Sequence, residues 1–152
     1  MELQQKTKTD TNGLIPPYGG ELKNLIIKDK NLKNDLISKA TYEFECSERN
    51  ACDVELLMVG AFSPLEGFMD ENNYNSVIKN NRNTNGLLFG LPIVFDSNNE
   101  KVKAGETILL TYKKQKIAVL EVSSKWEPDK SLEAELCYGT NSLDHPAVKM
   151  IF

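Results

Sequence analysis

Apolar and polar residues alternate from Thr41 to Cys46, with Tyr42, Phe44 and Cys46 on one side and Glu43 and Glu45 on the other. A period of two predicts a half-buried strand. Ser47 then stands as an N-cap for a helix running to about Val59, with Glu48 in the first turn and Ala51, Val54, Glu55 and Met58 on one face. Gly60 is placed to end that helix in the left-handed conformation. Asp70 is a second N-cap, and Tyr74, Val77 and Ile78 fall at helical spacing before Asn80-Asn81-Arg82-Asn83 stops the run. From Gly86 the period shortens. Leu87 to Phe95 reads as a strand at an edge or with a bulge, because Pro92 lies inside it. Glu106–Tyr112 and Ile117–Val122 read as a hairpin across Lys113-Lys114-Gln115-Lys116. Three strands in succession predict an antiparallel sheet or small barrel. Ser131–Tyr138 follows as a short helix closed by Gly139, and Asp144-His145-Pro146 is a turn.

The flanks are less patterned. Residues Met1 to Gly13 are polar, without periodicity, and read as a flexible arm. Ile15-Pro16-Pro17-Tyr18-Gly19-Gly20 is a turn, since no Gly-Lys-Ser/Thr follows to make it a phosphate loop. Glu21 to Ala40 has apolar residues broken by Asn and Asp, which predicts short strands or turns.

The stretch Gly60-Ala61-Phe62-Ser63-Pro64-Leu65-Glu66-Gly67-Phe68-Met69 is too apolar and too constrained for an ordinary solvated loop. It is either packed, within the domain or against another, or offered to a ligand. Phe62, Pro64, Leu65, Gly67 and Phe68 are the candidate structural or interdomain residues, with Phe62 and Phe68 expected to be mostly buried.

Composition narrows the function. The chain has 152 residues, 40% hydrophobic and 26% charged, enough for one domain with a real core. Its net charge of −4 argues against a nucleic-acid or anionic-membrane surface as the main role. No run is long and apolar enough to span a membrane, and the start lacks the apolar segment of a secretory signal, which points to the cytoplasm. Cys46, Cys52 and Cys137 include no Cys-x-x-Cys pair and read as free buried thiols. With one histidine, His145, the chain offers neither a His-rich metal site nor a base for a Ser or Cys nucleophile. The acids Glu43, Glu45, Asp53, Glu55, Glu66 and Asp70 show no pattern that makes them converge. No catalytic, cofactor-binding or metal-ligating residue is therefore assigned.

Ser47-Glu48-Arg49, Cys52-Asp53-Val54-Glu55-Leu56 and the Gly60–Met69 stretch resemble the N-terminal domain of ATP sulfurylase (sulfate adenylyltransferase). The likeness continues through Pro92-Ile93, Glu127-Pro128-Asp129-Lys130, Tyr138-Gly139-Thr140 and His145-Pro146. It implies an α+β fold, a PUA-like β-rich pseudo-barrel with several short flanking helices, over residues 14–152. It also implies an accessory role in an enzyme that joins sulfate to ATP, giving adenosine 5′-phosphosulfate and pyrophosphate. Tyr18 stands where the family usually has histidine, Phe89-Gly90 replaces a common Trp-Pro, and Trp126 replaces a tyrosine. The family's catalytic motifs, Gln-x-Arg-Asn-Pro, His-x-x-His and Gly-Arg-Asp-His, are missing: the arginines are Arg49 and Arg82, and His145 is alone. The resemblance thus implies that ATP and Mg belong to the parent enzyme and that this chain alone is inactive. Its expected partners are the absent catalytic domain and, in a homo-oligomer, further copies of the same chain. The hydrophobic end at Met150-Ile151-Phe152 favours a truncation, with an apolar docking patch at Pro64–Phe68 and at Val148–Phe152. A free-standing PUA-like binding module, for RNA for example, is the alternative from another class.

Overall fold

The computed structural model describes residues 13, 15–97, 100 and 102–152. The expected arm, Met1 to Gly13, lies almost wholly outside the described residues, as do Asn98 and Asn99 of the expected 96–100 turn.

One small sheet organises the molecule. Strand β1 (Tyr42–Glu45) runs parallel to β2 (Thr107–Tyr112), and β2 pairs antiparallel with β3 (Gln115–Glu121) in the order β1-β2-β3. The sheet is therefore mixed, not antiparallel throughout. The strand missing from the expected meander is Leu87–Phe95. It stays unpaired apart from a bridge between Arg82 and Leu88 and a Met69 N–H donated to the Ile93 carbonyl at 2.8 Å. Its apolar side chains are held by packing: Phe95 lies 5.1 Å from Phe44 and 5.3 Å from Phe68, centroid to centroid. Apolar content alone cannot distinguish a ladder from an extended segment that packs without pairing.

β2 is buried along four consecutive residues, Ile108 to Thr111. Consecutive burial means both faces of the strand are covered. Ile108 and Leu110 face the main core with Cys46, Ala51, Val54 and Val102, flanked by Phe44, Phe68 and Phe95. Thr111, on the opposite face, donates its hydroxyl to the Glu45 carboxylate at 2.7 Å.

Five α-helices accompany the sheet among the described residues: α1 (Lys30–Lys39), α2 (Glu48–Met58), α3 (Glu71–Asn80), α4 (Lys130–Tyr138) and α5 (Pro146–Ile151). Helix covers more of the described chain than strand. The expected caps of α2 and α3 form as read: Ser47 Oγ accepts from the Asn50 N–H and Asp70 Oδ1 from the Asn73 N–H. Gly60 closes α2 at φ +82°, with its N–H on the Leu57 carbonyl and that of Ala61 on the Leu56 carbonyl, a Schellman closure.

α1 corrects the expectation of strands or turns in 21–40. Asp29, which counts as an interruption in a strand reading, is its N-cap and accepts from the N–H groups of Asn31 and Leu32. α5 corrects the expected Asp144–Pro146 turn: His145 caps it through Nδ1 and Pro146 occupies the first turn, where a missing N–H costs nothing.

The β2–β3 hairpin closes in two residues, not four. Lys113 and Lys114 both sit at positive φ, +48° and +65°. Such a turn matches strand twist but suits Asn-Gly, not two lysines. Lys114→Gly is expected to raise stability by about 1 kcal/mol, roughly the left-handed penalty on a side chain, read as a higher denaturation midpoint. A lower midpoint would show that the lysine makes compensating contacts.

Candidate functional site

The Gly60–Met69 loop begins at the Schellman closure and folds back on the N-terminal turn. Pro64 stacks on Gly19 so closely that a Cβ there would lie 2.7 Å from the proline Cγ. Ser63, buried, accepts the Lys23 N–H at 3.0 Å and donates to the Gly60 carbonyl. Lys23 extends its ammonium between Glu66 (2.8 Å) and Glu21 (3.0 Å), each of which raises its pKa by hydrogen bonding. Residues 18–23 thus cover much of the loop, and Pro64, Leu65 and Gly67 are half-buried. The expected burial of both phenylalanines is only partly met. Phe68 is half-buried against the core, whereas Phe62 is half-buried outside it. Two of the departures from the resemblance meet here: Tyr18 and Phe89 make an edge contact at 6.1 Å, and the Tyr18 hydroxyl donates to the Leu88 carbonyl at 2.9 Å.

A second feature was not singled out in the sequence. A cleft of about 670 Å³ opens between α4 and α5 on one side and residues 91–97 and the end of β3 on the other. α2 contributes Arg49 and Asp53. Burial pushes the Asp53 carboxyl up from its ordinary value; Arg49 pulls it down and Asp96 adds to the rise. Trp126 lines the wall with its ring 5.4 Å from Tyr74, and its buried indole N–H has no hydrogen-bond partner. Tyr74 donates its hydroxyl to Glu133 at 2.7 Å, tying α3 to α4, and burial with that carboxylate drives its pKa far up. No sequence signal gathers these residues, because they come from segments spread from α2 to α5.

The remaining candidates are dispersed. Glu45 is held by Thr111, Glu66 by Lys23, and Asp70 caps α3. Among the described residues no group of His, Cys, Asp or Glu is arranged to hold a metal ion, and no helix is long and apolar enough to cross a membrane. The thiols are free, but only Cys46 is buried; Cys137 is half-buried and Cys52 is exposed on α2, correcting the uniform burial expected. Val148 is fully buried on the inner face of α5, so the expected C-terminal apolar patch reduces to Met150 and Phe152, which are exposed, and the half-buried Ile151.

Glu45 gives a pH prediction. The Thr111 hydroxyl, then the Lys114 and Lys113 N–H groups, hold its carboxylate below the ordinary range. The ionised form is favoured in the folded state, so its stabilisation is present above the unfolded pKa and lost as pH falls through the folded one. Glu45→Gln is expected to flatten the decline in denaturation midpoint between about pH 5 and pH 3. An unchanged acid limb would assign that decline to other carboxylates.

The family model described as PUA-like domain matches residues 15–152. The chain is 42% identical over 146 residues to the sulfate adenylyltransferase of Neurospora crassa, covering 90% of this chain and 25% of that protein. It is 40% identical to that of Schizosaccharomyces pombe, covering 86% of this chain and 28% of the relative. It thus spans about a quarter of the length of these curated relatives. Among solved structures, a hexameric APS kinase from Thiobacillus denitrificans matches with a TM-score of 0.67 and 31% identity, over 76% of this chain and 24% of that one.

Proposed function

Because the chain belongs to the PUA-like domain family, in the form that sulfate adenylyltransferases carry, we propose that it serves as the N-terminal accessory domain of such an enzyme. One observation carries this reading: the likeness runs along 90% of the chain yet occupies a quarter of the relative. A segment of that kind is a module within a larger machine. Under this reading the chain supports a catalytic domain, in the same polypeptide or in another, that holds ATP, Mg and sulfate. The candidates Phe62, Pro64, Leu65, Gly67 and Phe68 then shape and rigidify the module. The enzyme works in the cytoplasm, and association into a homo-oligomer accords with the neighbour described as hexameric.

Phosphoryl chemistry depends on cationic and hydrogen-bonding groups placed on the developing charge. The arginines here are spent otherwise: Arg82 donates to the Gly86 carbonyl and Arg49 faces Asp96 at 4.0 Å. The purified chain is expected to release no pyrophosphate from ATP, sulfate and magnesium above a buffer control. The same chain, replacing the matching quarter of the Neurospora crassa enzyme, is expected to give an active chimera. Turnover by the isolated chain, or a folded chimera without activity, would reject the reading.

A further inference from the structure

Residues 18–28 cross the apolar loop as a strap. Residues 21–28 belong to neither helix nor strand, and no described residue from 15 to 45 is buried. Leu22 and Ile26 leave about half of their surface in water, 54% and 47%. The strap therefore buries little apolar area of its own. Its anchorage converges on Lys23. The Lys23 N–H donates to Ser63 Oγ at 3.0 Å, its carbonyl oxygen would stand 2.8 Å from a Cβ on Gly60, and its ammonium meets Glu66 at 2.8 Å. One strap residue thus grips the loop at positions 60, 63 and 66. Further ties are the Leu25 N–H on the Met58 carbonyl and the exposed Tyr18 hydroxyl on the Leu88 carbonyl, both at 2.9 Å.

These are ties that water can replace. Lys23 keeps Glu21, at 3.0 Å and on the strap itself, whether or not it holds Glu66, whose side chain is 70% exposed. Little electrostatic energy then separates the closed strap from an open one. The body is closed differently, by the buried residues of α2, α3 and β2 and by the strand ladders. A segment with few buried apolar contacts and accessible hydrogen bonds opens at lower cost than such a core.

We propose that residues 18–28, latched by Lys23, lift off the Gly60–Glu66 backbone as one unit while the sheet and α2–α5 stay folded. Lys23 and Leu25 are two residues apart, so the same motion breaks both of their bonds to the body. Ser63 is 6% exposed in the closed form. Opening brings its hydroxyl and the Gly60 carbonyl to solvent, so the most constrained loop of the chain is presented intermittently, at a rate the strap sets.

Native-state hydrogen exchange of the chain tests this, read by NMR at the Leu25 amide and at the Cys46 amide, which donates to the Thr111 carbonyl between β1 and β2. Leu25 is expected to exchange through a more frequent opening than Cys46. Its denaturant dependence should be shallower, because lifting a strap exposes less surface than unfolding. Leu110 is packed alike in the closed and open forms, so Leu110→Ala should speed Cys46 by at least about 30-fold and leave Leu25 unchanged. Ile108→Val makes the same separation, with a factor of roughly 2 to 10, if Leu110→Ala does not fold. Ser63→Ala removes a bond made only in the closed form and should speed Leu25 by roughly 2- to 10-fold. Lys23→Met should speed it too, and abolish the acceleration that added salt produces in the parent chain. Equal acceleration of Leu25 and Cys46 by the core variant would mean that the strap leaves only on global unfolding, and would overturn the proposal. A Leu25 amide indifferent to Ser63→Ala would overturn it as well, since the two bonds would then break independently.

Discussion

Leu110→Ala is expected to lower the stability of the chain by about 2–5 kcal/mol, the range for truncating a buried leucine whose cavity cannot collapse. Leu110 is 1% exposed at the centre of the middle strand. It is paired with Phe44 on one side and Ala118 on the other, so backbone ladders hold it from both directions. Strands pinned on both edges relax little into a void, which puts the cost toward the upper half of the range. For a domain of this size each kcal/mol moves the melting midpoint by roughly 2–4 °C. Leu136→Ala on the exposed face of α4 serves as the reference and should change stability by under about 0.5 kcal/mol. A Leu110→Ala loss below about 1 kcal/mol in denaturant titration would mean that the sheet around it is loosely packed.

Gly60→Ala is the second large effect, and Gly86→Ala isolates its cause. Both glycines stand at φ +82°. An alanine at either position costs about 1–2 kcal/mol for the left-handed backbone. At Gly86 nothing lies within 4 Å of the new Cβ. At Gly60 the Cβ would come to 2.8 Å from the Lys23 carbonyl oxygen and 2.8 Å from Leu22 Cδ1. The leucine can turn away, but the carbonyl is backbone, held by the Lys23 N–H on Ser63 and the Leu25 N–H on the Met58 carbonyl. Gly60→Ala should therefore destabilise by about 1–2 kcal/mol more than Gly86→Ala. Equal losses at the two sites would show that the N-terminal segment shifts freely off the apolar loop.

The same contacts mark how far sequence reasoning reached. Helices α2 and α3 were legible because their N-caps are local chemistry, a serine or aspartate accepting from an N–H three residues on, and α4 because a glycine stands at its left-handed stop. α1 was missed because Asp29 and the asparagines after it carry two local meanings, turn and cap, and nothing nearby chooses between them. The hairpin was placed correctly, but its loop was read two residues too long, because Lys113-Lys114 carries none of the glycine or asparagine that such a turn favours. The Gly60–Met69 loop was recognisable as constrained, yet what covers it, the turn at 18–23, lies some 40 residues earlier in the chain.

The sequence by itself determined the α+β class, the N-capped starts of α2 and α3, the β2–β3 pairing and the likeness to sulfate adenylyltransferases, since each rests on residue order over short spans. Tertiary structure decided that β1 joins β2 in parallel, that Leu87–Phe95 packs without pairing, and that Arg49, Asp53, Trp126 and Met150 share one cleft. The physical reason is common to all three. Each depends on which distant segments compete for the two edges of β2 and the apolar face beneath it, and such competition is settled by packing over the whole chain, not by the preferences of neighbouring residues.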